Sequence, residues 1–315
     1  VPTEPYLPTG FTKVEGTSLS NGYTIQDSTG NQYVWVEVPK TSEVYPTAGL
    51  NITEFTNDEY AKIETDLHTY TSDYRQDGYT DEYYSDEATG LTREEYIVLK
   101  QKMLKSVYQN GGFYIGKYET GIEDAPRTSG SPSTAPTEVP VIKQNVYPYN
   151  YVTSSQAQIL ASNMESGKYN TSLMFGIQWD LVLKYLETKG ATQSELKTDS
   201  TEWGNYYNNK WNIENINAKY NSDSKWISGA YGIKKTNIMI LLSTGASDTF
   251  CKQGIYDLAG NLWEWTLEKS ANGKIGCLRR GGNCGDGSTG YAAYRYCDGQ
   301  EGYIYIDIGF RTALY

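Results

Sequence analysis

Two short motifs bracket the last stretch of the chain, and they constrain it more than any other feature. Arg280-Gly281-Gly282-Asn283 comes before this stretch and Ile308-Gly309-Phe310-Arg311 comes after it. The residues between them are rich in Tyr, Gly, Asp and Cys, with no periodic apolar face and no metal-ligand spacing. Tyr gives a large, rigid contact area at low entropic cost, and Gly gives an adaptable backbone. We therefore predict a ligand-binding surface over residues 284–307, called the display segment below.

The candidate contact residues of the display segment include three tyrosines, a residue type that is enriched among interface hot spots. They are Cys284, Gly285, Asp286, Thr289, Gly290, Tyr296, Cys297, Asp298, Gly299, Gly302, Tyr303, Ile304, Tyr305 and Asp307. We expect the three tyrosines at 296, 303 and 305 to contact the ligand, and Cys284 and the aspartates to set its chemistry. Tyr294, which precedes Arg295, is expected to belong to the framework.

Length and charge narrow the classes of function. The chain has 315 residues, enough to bury a core, and no run of eighteen apolar residues that could span a membrane. Its formal charge is −11 and it has no basic stripe, which argues against nucleic-acid binding. The first residues have neither a start Met nor a signal pattern, so we expect a trimmed or mature form from which an anchor could have been removed.

The negative charge is concentrated in one region. Residues 51–95 hold thirteen acidic residues against three basic ones, and the rest of the chain is nearly neutral. We predict a solvated acidic insertion over about residues 40–92, with cation binding as the alternative.

Cysteine and histidine usage argues against a zinc site or a Cys-His nucleophile. The four cysteines, at 251, 277, 284 and 297, form no C-x-x-C pair, and His68 is the single histidine. In an extracellular setting the four cysteines could form one or two disulfides, and three pairings and free thiols all stay open.

The patterning predicts an α+β fold with short antiparallel strands, few helices and long loops. A hairpin is expected over residues 23–38 and a strand over 113–119. Three helices are expected: one that begins at the capping box Thr92-x-x-Glu95, one over 155–164 and one near 179–186. Residues 123–140, rich in Pro, Ser and Thr, should form a loop, residues 205–221 should be irregular, and short strands should resume near 238–241.

Further motifs give the chain a resemblance to a known family. Residues 255–266, Ile-Tyr-Asp-Leu-Ala-Gly-Asn-Leu-Trp-Glu-Trp-Thr, resemble the hallmark of the formylglycine-generating-enzyme (sulfatase-modifying factor) family. Arg280-Gly281-Gly282-Asn283, Tyr294-Arg295 and Gly309-Phe310-Arg311 match its C-terminal signature in order. Weaker matches lie at 113–119, 178–180 and 203–205. The resemblance implies an elaborated C-type lectin fold, in which Trp263, Trp265 and Phe310 are core anchors and Arg295 and Arg311 have scaffold roles.

One group within the resembling family consists of enzymes. They use copper and two cysteines five residues apart, shortly after a Gly-Gly-Ser motif, to oxidise a substrate cysteine. Here Cys284 follows Asn283 directly and Cys297 is thirteen residues further on, so the spacing differs from that of the enzymes. The enzymes also bind a structural calcium, and carrying the ligands over by position gives Asp257, Gly260, Leu262 and Glu264. Oxygen ligands suit calcium; the alternative is that Asp257 and Glu264 only cap turns.

The other group consists of variable proteins of diversity-generating retroelements. In these proteins the lectin fold carries a hypervariable C-terminal face. Errors of reverse transcription at adenines of a template turn Asn codons in that region into codons for Tyr, Asp, Gly, Ser, Cys, Thr or Ile. The display segment is rich in these residue types. The resemblance thus implies a non-enzymatic binding protein at an extracellular, cell or phage surface, with an unknown protein or glycan ligand and no required cofactor.

These observations predict one C-type lectin-like domain over residues 21–315, preceded by an extended segment over 1–20. Two other functions stay open: a copper-dependent thiol oxidase of the formylglycine-generating type, and a structural pilin-like or phage tail subunit with an inert C-terminal face.

Overall fold

The computed structural model describes residues 4–165, 169–272, 277–287, 290–297 and 302–315. Its helices are short apart from three of 13 to 18 residues. The helices are α1 (Asn57–Tyr70), α2 (Asp86–Thr89), α3 (Arg93–Asn110), α4 (Ser154–Ser162), α5 (Gly176–Thr188) and α6 (Gln193–Lys197), with a 3-10 turn at Asp248–Phe250. The strands are β1 (Thr12–Lys13), β2 (Thr24–Gln26), β3 (Gln32–Glu37), β4 (Tyr79–Thr80), β5 (Gly112–Gly116), β6 (Gly121–Ile122), β7 (Tyr147–Pro148), β8 (Thr171–Leu173), β9 (Trp211–Ile213), β10 (Lys219–Ser222), β11 (Lys225–Ser228), β12 (Gly232–Lys234), β13 (Leu241–Leu242), β14 (Cys251–Lys252), β15 (Ile255–Tyr256), β16 (Trp263–Ser270), β17 (Cys277–Arg280), β18 (Arg295–Tyr296), β19 (Ile308–Phe310) and β20 (Thr312–Leu314).

One sheet joins the two ends of the chain. Its strand order is β1-β2-β3-β5-β20-β8, and all of its pairs are antiparallel. The last strand, β20, therefore lies in the sheet interior between β5 and β8. The predicted hairpin over 23–38 and the predicted strand over 113–119 are present here as β2, β3 and β5, and most of their side chains are buried.

A second sheet carries the C-terminal motifs. Its order is β18-β17-β16-β19, and β4 joins it through a separate antiparallel pairing with β16. Strands β16 and β19 run parallel, with Trp265 opposite Phe310. Strand β17 pairs antiparallel with β16 on one side and with β18 on the other. This arrangement places the two ends of the display segment at β17 and β19, on either side of β16, so the segment leaves and re-enters the same sheet.

The start and end signals of the predicted helices have the expected structures. Thr92 accepts the backbone N–H of Glu95, and the Glu95 side chain accepts the backbone N–H of Thr92, which is a complete capping box at the start of α3. Gly111 ends this helix in the left-handed conformation that glycine adopts without strain. The other two predicted helices are present as α4 and α5, each within a few residues of the expected bounds.

The acidic region is built into the core more deeply than a solvated insertion would be. Asp66 is buried and accepts the backbone N–H groups of Thr47 and Ala48. Asp81 is also buried and accepts the first two N–H groups of α5, those of Gly176 and Ile177, at 2.6 and 2.9 Å. A carboxylate at a helix N-terminus satisfies donors that have no partner within the helix. The sequence prediction is wrong for these two acids, because burial depends on distant partners.

Two other expectations also need correction. Residues 4–20 are not a separate extended segment, because β1 pairs with β2 and the buried ring of Phe11 packs edge-on against Tyr33 and Tyr169. Residues 205–221 are not irregular throughout, because they contain β9 and β10, which pair with β12 and with β11 and β13. Among the described residues, no helix is both long and apolar enough to cross a membrane.

Candidate functional site

A buried ion-pair network holds the strands from which the display segment emerges. Arg280, on β17, donates to Asp180 of α5 at 2.8 Å, and Arg295, on β18, donates to the same Asp180 carboxylate at 2.8 Å. Arg295 also donates to Glu268 of β16 at 2.6 Å. All four side chains are almost completely buried. Such a network is costly to disrupt, since removal of one partner leaves an uncompensated buried charge.

A second buried pair anchors the other end of the display segment. The Arg311 guanidinium binds both oxygens of Glu264, at 2.8 and 3.1 Å. It also donates to the backbone carbonyls of Gly116 and Tyr256. Arg295 and Arg311 therefore have the scaffold contacts that the sequence predicted, and each is paired with carboxylate in the geometry that guanidinium favours.

The middle of the display segment rests on residues 200–207. The backbone N–H of Ser200 donates to the carbonyl of Gly290 at 3.0 Å, and that of Tyr207 donates to the carbonyl of Asp286 at 2.8 Å. The buried ring of Tyr206 lies so close to Gly282 and Gly290 that a Cβ on Gly290 would stand 2.8 Å from it. The two ends and the centre of the display segment are thus fixed by contacts from elsewhere in the chain.

An aromatic platform forms the outer side of this region. Trp263 is buried, and the rings of Tyr294 and Tyr296 stack against it with centroids 5.3 and 5.5 Å away. Tyr303 and Tyr305 form a further pair at 5.1 Å. Tyr296 is 41% exposed and Tyr305 is 51% exposed. Large aromatic side chains held in this way by their neighbours provide a contact surface that loses little entropy on binding.

Arg279 joins the two halves of this platform. Its guanidinium lies 4.9 Å from the ring centroid of Tyr296 and 5.5 Å from that of Tyr303, and it also lies over Trp263 and Trp265. Cations are attracted to the faces of aromatic rings, most strongly where water is excluded. Arg279 is buried, so it fixes the rings from beneath.

Two carboxylates lie beside the platform and are connected through Asn283. The backbone N–H of Asn283 donates to Asp286 at 2.8 Å, and its side-chain amide donates to Asp307 at 2.6 Å. Burial raises the pKa of Asp286 to about 6. Burial also raises the pKa of Asp307. These carboxylates are therefore the charged groups of the face that a ligand could address.

The predicted contact residues differ in their accessibility. Gly285, Tyr296, Gly302 and Tyr305 are exposed; Asp286, Cys297, Tyr303, Ile304 and Asp307 are partly buried; Cys284 and Gly290 are buried. Thr289, Asp298 and Gly299 lie outside the described residues. The structure thus brings most of the predicted residues to one region, but not all of them to its surface.

Cys284 does not have the predicted role. Its side chain is fully buried and packs with Leu241 and Leu262 in a small apolar cluster. Burial raises the pKa of its thiol well above the usual range. A thiol in apolar surroundings is a poor nucleophile and a poor metal ligand, since both roles need the thiolate. Cys284 therefore neither contacts a ligand on the surface nor has the environment of a redox-active cysteine.

The two side chains that the resemblance implied for calcium, those of Asp257 and Glu264, differ in how their oxygens are already engaged. Both oxygens of Glu264 are occupied by Arg311. Asp257 fits better: one oxygen accepts the N–H of Gly245 at 2.7 Å, and the other, Oδ1, is buried without a hydrogen bond. Among the described residues, no group of three or more His, Cys, Asp or Glu side chains is placed to hold a metal. Calcium binding through Asp257, Gly260, Leu262 and Glu264 stays a prediction.

Sequence reasoning missed several residues that build the site. Arg279 precedes the Arg-Gly-Gly motif and faces the platform. Neighbouring side chains on a strand point to opposite sides, so the position of Arg279 directly before the buried Arg280 could have indicated that it points to the other side. Tyr206, Tyr207 and Met239 come from a distant part of the chain. Nothing local in the sequence indicates that they meet the display segment.

Comparison with known proteins agrees with these features. Residues 161–315 match the family model of the sulfatase-modifying factor enzyme 1-like domain. The match does not include the motif at 113–119. No curated protein is similar in sequence to this chain.

Among solved structures, Treponema denticola variable protein 1 is similar over 98% of this chain and 92% of its own, at 13% identity and a TM-score of 0.27. The six helices and many short antiparallel strands of the described residues are consistent with the predicted fold class. Residues 161–315 are therefore similar to the sulfatase-modifying factor enzyme 1-like domain family, and the chain has an α+β fold of the C-type lectin type.

Proposed function

We propose that this protein is a non-enzymatic ligand-binding protein of an extracellular, cell or virion surface, and that a retroelement diversifies its display segment. One observation carries the proposal. The partly exposed rings of Tyr296, Tyr303 and Tyr305 lie beside Arg279 and Trp263 on a backbone held by buried ion pairs. Such a frame lets side chains change without a large reorganisation on binding.

The identity of the residues in the display segment supports diversification. Most of the residues found there are of types that a mutated Asn codon gives, as in the retroelement proteins that this chain resembles. The partly buried or exposed positions at 286, 296, 303, 305 and 307 carry Asp and Tyr, whereas the buried frame carries Arg, Trp and Glu. Variation at the outer positions would leave the frame contacts intact.

Sequencing the DNA around the gene tests diversification directly. We expect a reverse-transcriptase gene and a near-copy of the codons for residues 283–311 that differs from them at adenines. The codons that differ should encode exposed or partly buried residues rather than Arg295 or Arg311. A locus with neither element would overturn diversification and leave only the binding role.

Binding is tested with arrays of purified cell-surface proteins and of glycans. We expect the wild type to bind and the triple variant Y296A/Y303A/Y305A to lose at least about 10-fold in affinity, because buried or stacked tyrosines dominate interface energetics. The variant Tyr6→Ala is the matched control, since Tyr6 is 48% exposed but lies outside the platform. Unchanged binding by the triple variant would favour a structural subunit with an inert face.

The oxidase alternative has its own test. Copper-dependent oxidation of a cysteine-containing peptide by the wild type, lost in Cys284→Ser, would support it. The buried environment of Cys284 is the observation that favours the binding role over the enzyme.

A further inference from the structure

Exposed apolar side chains are concentrated in a region that the display segment does not include. Six large apolar side chains between residues 207 and 239 are exposed: Tyr207, Ile216, Ile227, Ile233, Ile238 and Met239. Single exposed apolar residues are ordinary, but a cluster of them marks an interaction surface.

One of these side chains and the backbone of another contact the display segment. The Met239 sulfur lies 3.3 Å from the position that a Cβ on Gly285 would take. The backbone N–H of Tyr207 donates to the carbonyl of Asp286, and that of Asn237 donates to the carbonyl of Tyr207, both at 2.8 Å. Tyr207 and Met239 therefore adjoin the display segment at residues 285 and 286, and Ile238 precedes Met239 in the chain. These three exposed residues are called the apolar ledge below.

Hydrogen bonds from buried side chains hold the backbone next to the apolar ledge. The buried Lys234 ammonium donates to the carbonyls of Tyr206 and Asn209, each at 2.8 Å. The side-chain amide of Asn205 donates to the carbonyl of Ile240, which is buried, at 2.7 Å. Both ends of the apolar ledge thus adjoin anchored residues, so the ledge needs little ordering when it binds.

Charge next to the apolar ledge adds to its character as a binding surface. Asp286 adjoins the ledge, and Asn283 connects Asp286 to Asp307. Arg279 attracts both carboxylates, but two acids face one arginine there. The combined surface is apolar on one side and acidic on the other, which suits a partner with an apolar patch beside a basic side chain.

We propose that the ligand is a protein, and that it contacts the apolar ledge of Tyr207, Ile238 and Met239 together with the display segment through an apolar patch flanked by Lys or Arg. The inference rests on the proposed function, because it deepens the account of the same face. A glycan would set hydroxyl groups against Ile238 and Met239, which offer no hydrogen bonds in return. Met and aromatic side chains are enriched in the centres of protein interfaces.

The apolar ledge also gives the face a constant part. If the display segment changes between copies of the gene, the ledge stays the same, because it lies elsewhere in the sequence. Every variant would then share one apolar anchor, and the display segment would select among proteins that fit it. A standard protein interface takes about 800 Å² from each partner, more than a few tyrosines supply.

The test uses the full chain and an array of purified cell-surface proteins, with a glycan array beside it. The double variant I238S/M239S removes two of the three apolar side chains of the ledge. The matched control is I97S/V98S on α3, because Ile97 and Val98 are each 41% exposed, against 36% for Ile238 and 42% for Met239. We expect I238S/M239S to weaken binding to the captured protein at least about 10-fold and the control to change it less than about twofold.

The outcomes separate this inference from the proposed function. Loss of binding in both I238S/M239S and Y296A/Y303A/Y305A supports both. Loss in the tyrosine variant alone overturns the apolar ledge and leaves the proposed function. Loss in the ledge variant alone supports the ledge and overturns the tyrosine face. Binding of the wild type to glycans only, or to neither array, overturns the inference. If I238S/M239S melts at a lower temperature than the wild type, Met239→Gln, which keeps the side-chain length, replaces it.

Discussion

Arg279 and Arg280 are neighbours on strand β17 and have opposite surroundings. Arg280 points into the core and donates to Asp180 and Glu268, so its charge is balanced by buried carboxylates. Arg279 points to the other side and lies over four aromatic rings beside the display segment. Because side chains alternate along a strand, one short segment serves the frame with one residue and the binding face with the next.

This difference teaches how a fixed fold can carry a changeable surface. The frame uses ion pairs whose partners come from α5, β16, β17 and β18, so each contact depends on several elements at once. The face uses stacked rings and backbone contacts, which tolerate other side chains. The predictions below test this division, first in the frame and then in the face.

Removal of a frame arginine should have the largest effect. Arg295→Ala leaves Asp180 and Glu268 with one partner fewer in a fully buried site, and we expect the free energy of unfolding to fall by about 3–5 kcal/mol. Urea denaturation measures it. Lys13→Ala, which breaks the exposed pair with Glu4, is the control and should leave stability nearly unchanged. Equal effects of the two substitutions would refute the division.

The buried carboxyl group of Asp257 should make the stability of the protein depend on pH. Burial raises the pKa of Asp257 from 3.8 to about 7. Since the folded-state pKa is the higher one, ionisation destabilises the fold as the pH rises from about 4 to 7. Asp257→Asn lacks this group, so its free energy of unfolding relative to wild type should rise by about 2 kcal/mol between pH 5 and pH 8.

This measurement is made in the presence of a calcium chelator and then repeated with added calcium. Without calcium, a pH-independent difference between Asp257→Asn and the wild type would contradict the prediction. If added calcium raises the melting temperature of the wild type but not of Asp257→Asn, the calcium site that the resemblance implies would gain support, with Asp257 as its ligand.

Arg279 should matter less for stability than Arg280 does. Arg279→Leu removes a cation from beneath the rings, and we expect a loss of about 1–2 kcal/mol in denaturation. The same change removes an attraction that lowers the pKa of Asp286, so this pKa should rise above about 6 in an NMR titration. Arg279→Lys should keep the pKa of Asp286 near its wild-type value. A loss as large as that of Arg280→Leu would assign Arg279 to the frame.

The smallest effect on stability is expected at the exposed end of the platform. Tyr305→Ala removes a ring that is half exposed and packs chiefly on Tyr303. The free energy of unfolding should change by less than about 1 kcal/mol, as is usual for surface positions. The denaturation of Tyr305→Ala is compared with that of Tyr206→Ala. The second variant should lose more stability, because Tyr206 is fully buried and supports Gly282 and Gly290. Equal losses would show that the face is part of the core.

Local signals in the sequence predicted much of this structure. The capping box at Thr92 and Glu95, the hairpin over 23–38 and the strand at 113–119 each depend on residues close together in the chain. The paired C-terminal motifs predicted the fold, because their Gly and Arg residues serve backbone turns and buried ion pairs, and these contacts hold the proposed binding face. For these features, the residue types and their spacing carry the physical requirement.

The tertiary structure decided what those signals do not contain. Cys284 is buried and Tyr305 is exposed, although both belong to one segment of similar composition. Arg279 meets four rings, Asp81 caps a helix almost a hundred residues away, and Met239 reaches Gly285. Burial and contact at long sequence separation depend on how whole elements pack together, and no short stretch of sequence encodes that packing. The sequence by itself therefore determined which segment is displayed, and packing determined which of its side chains a ligand can reach.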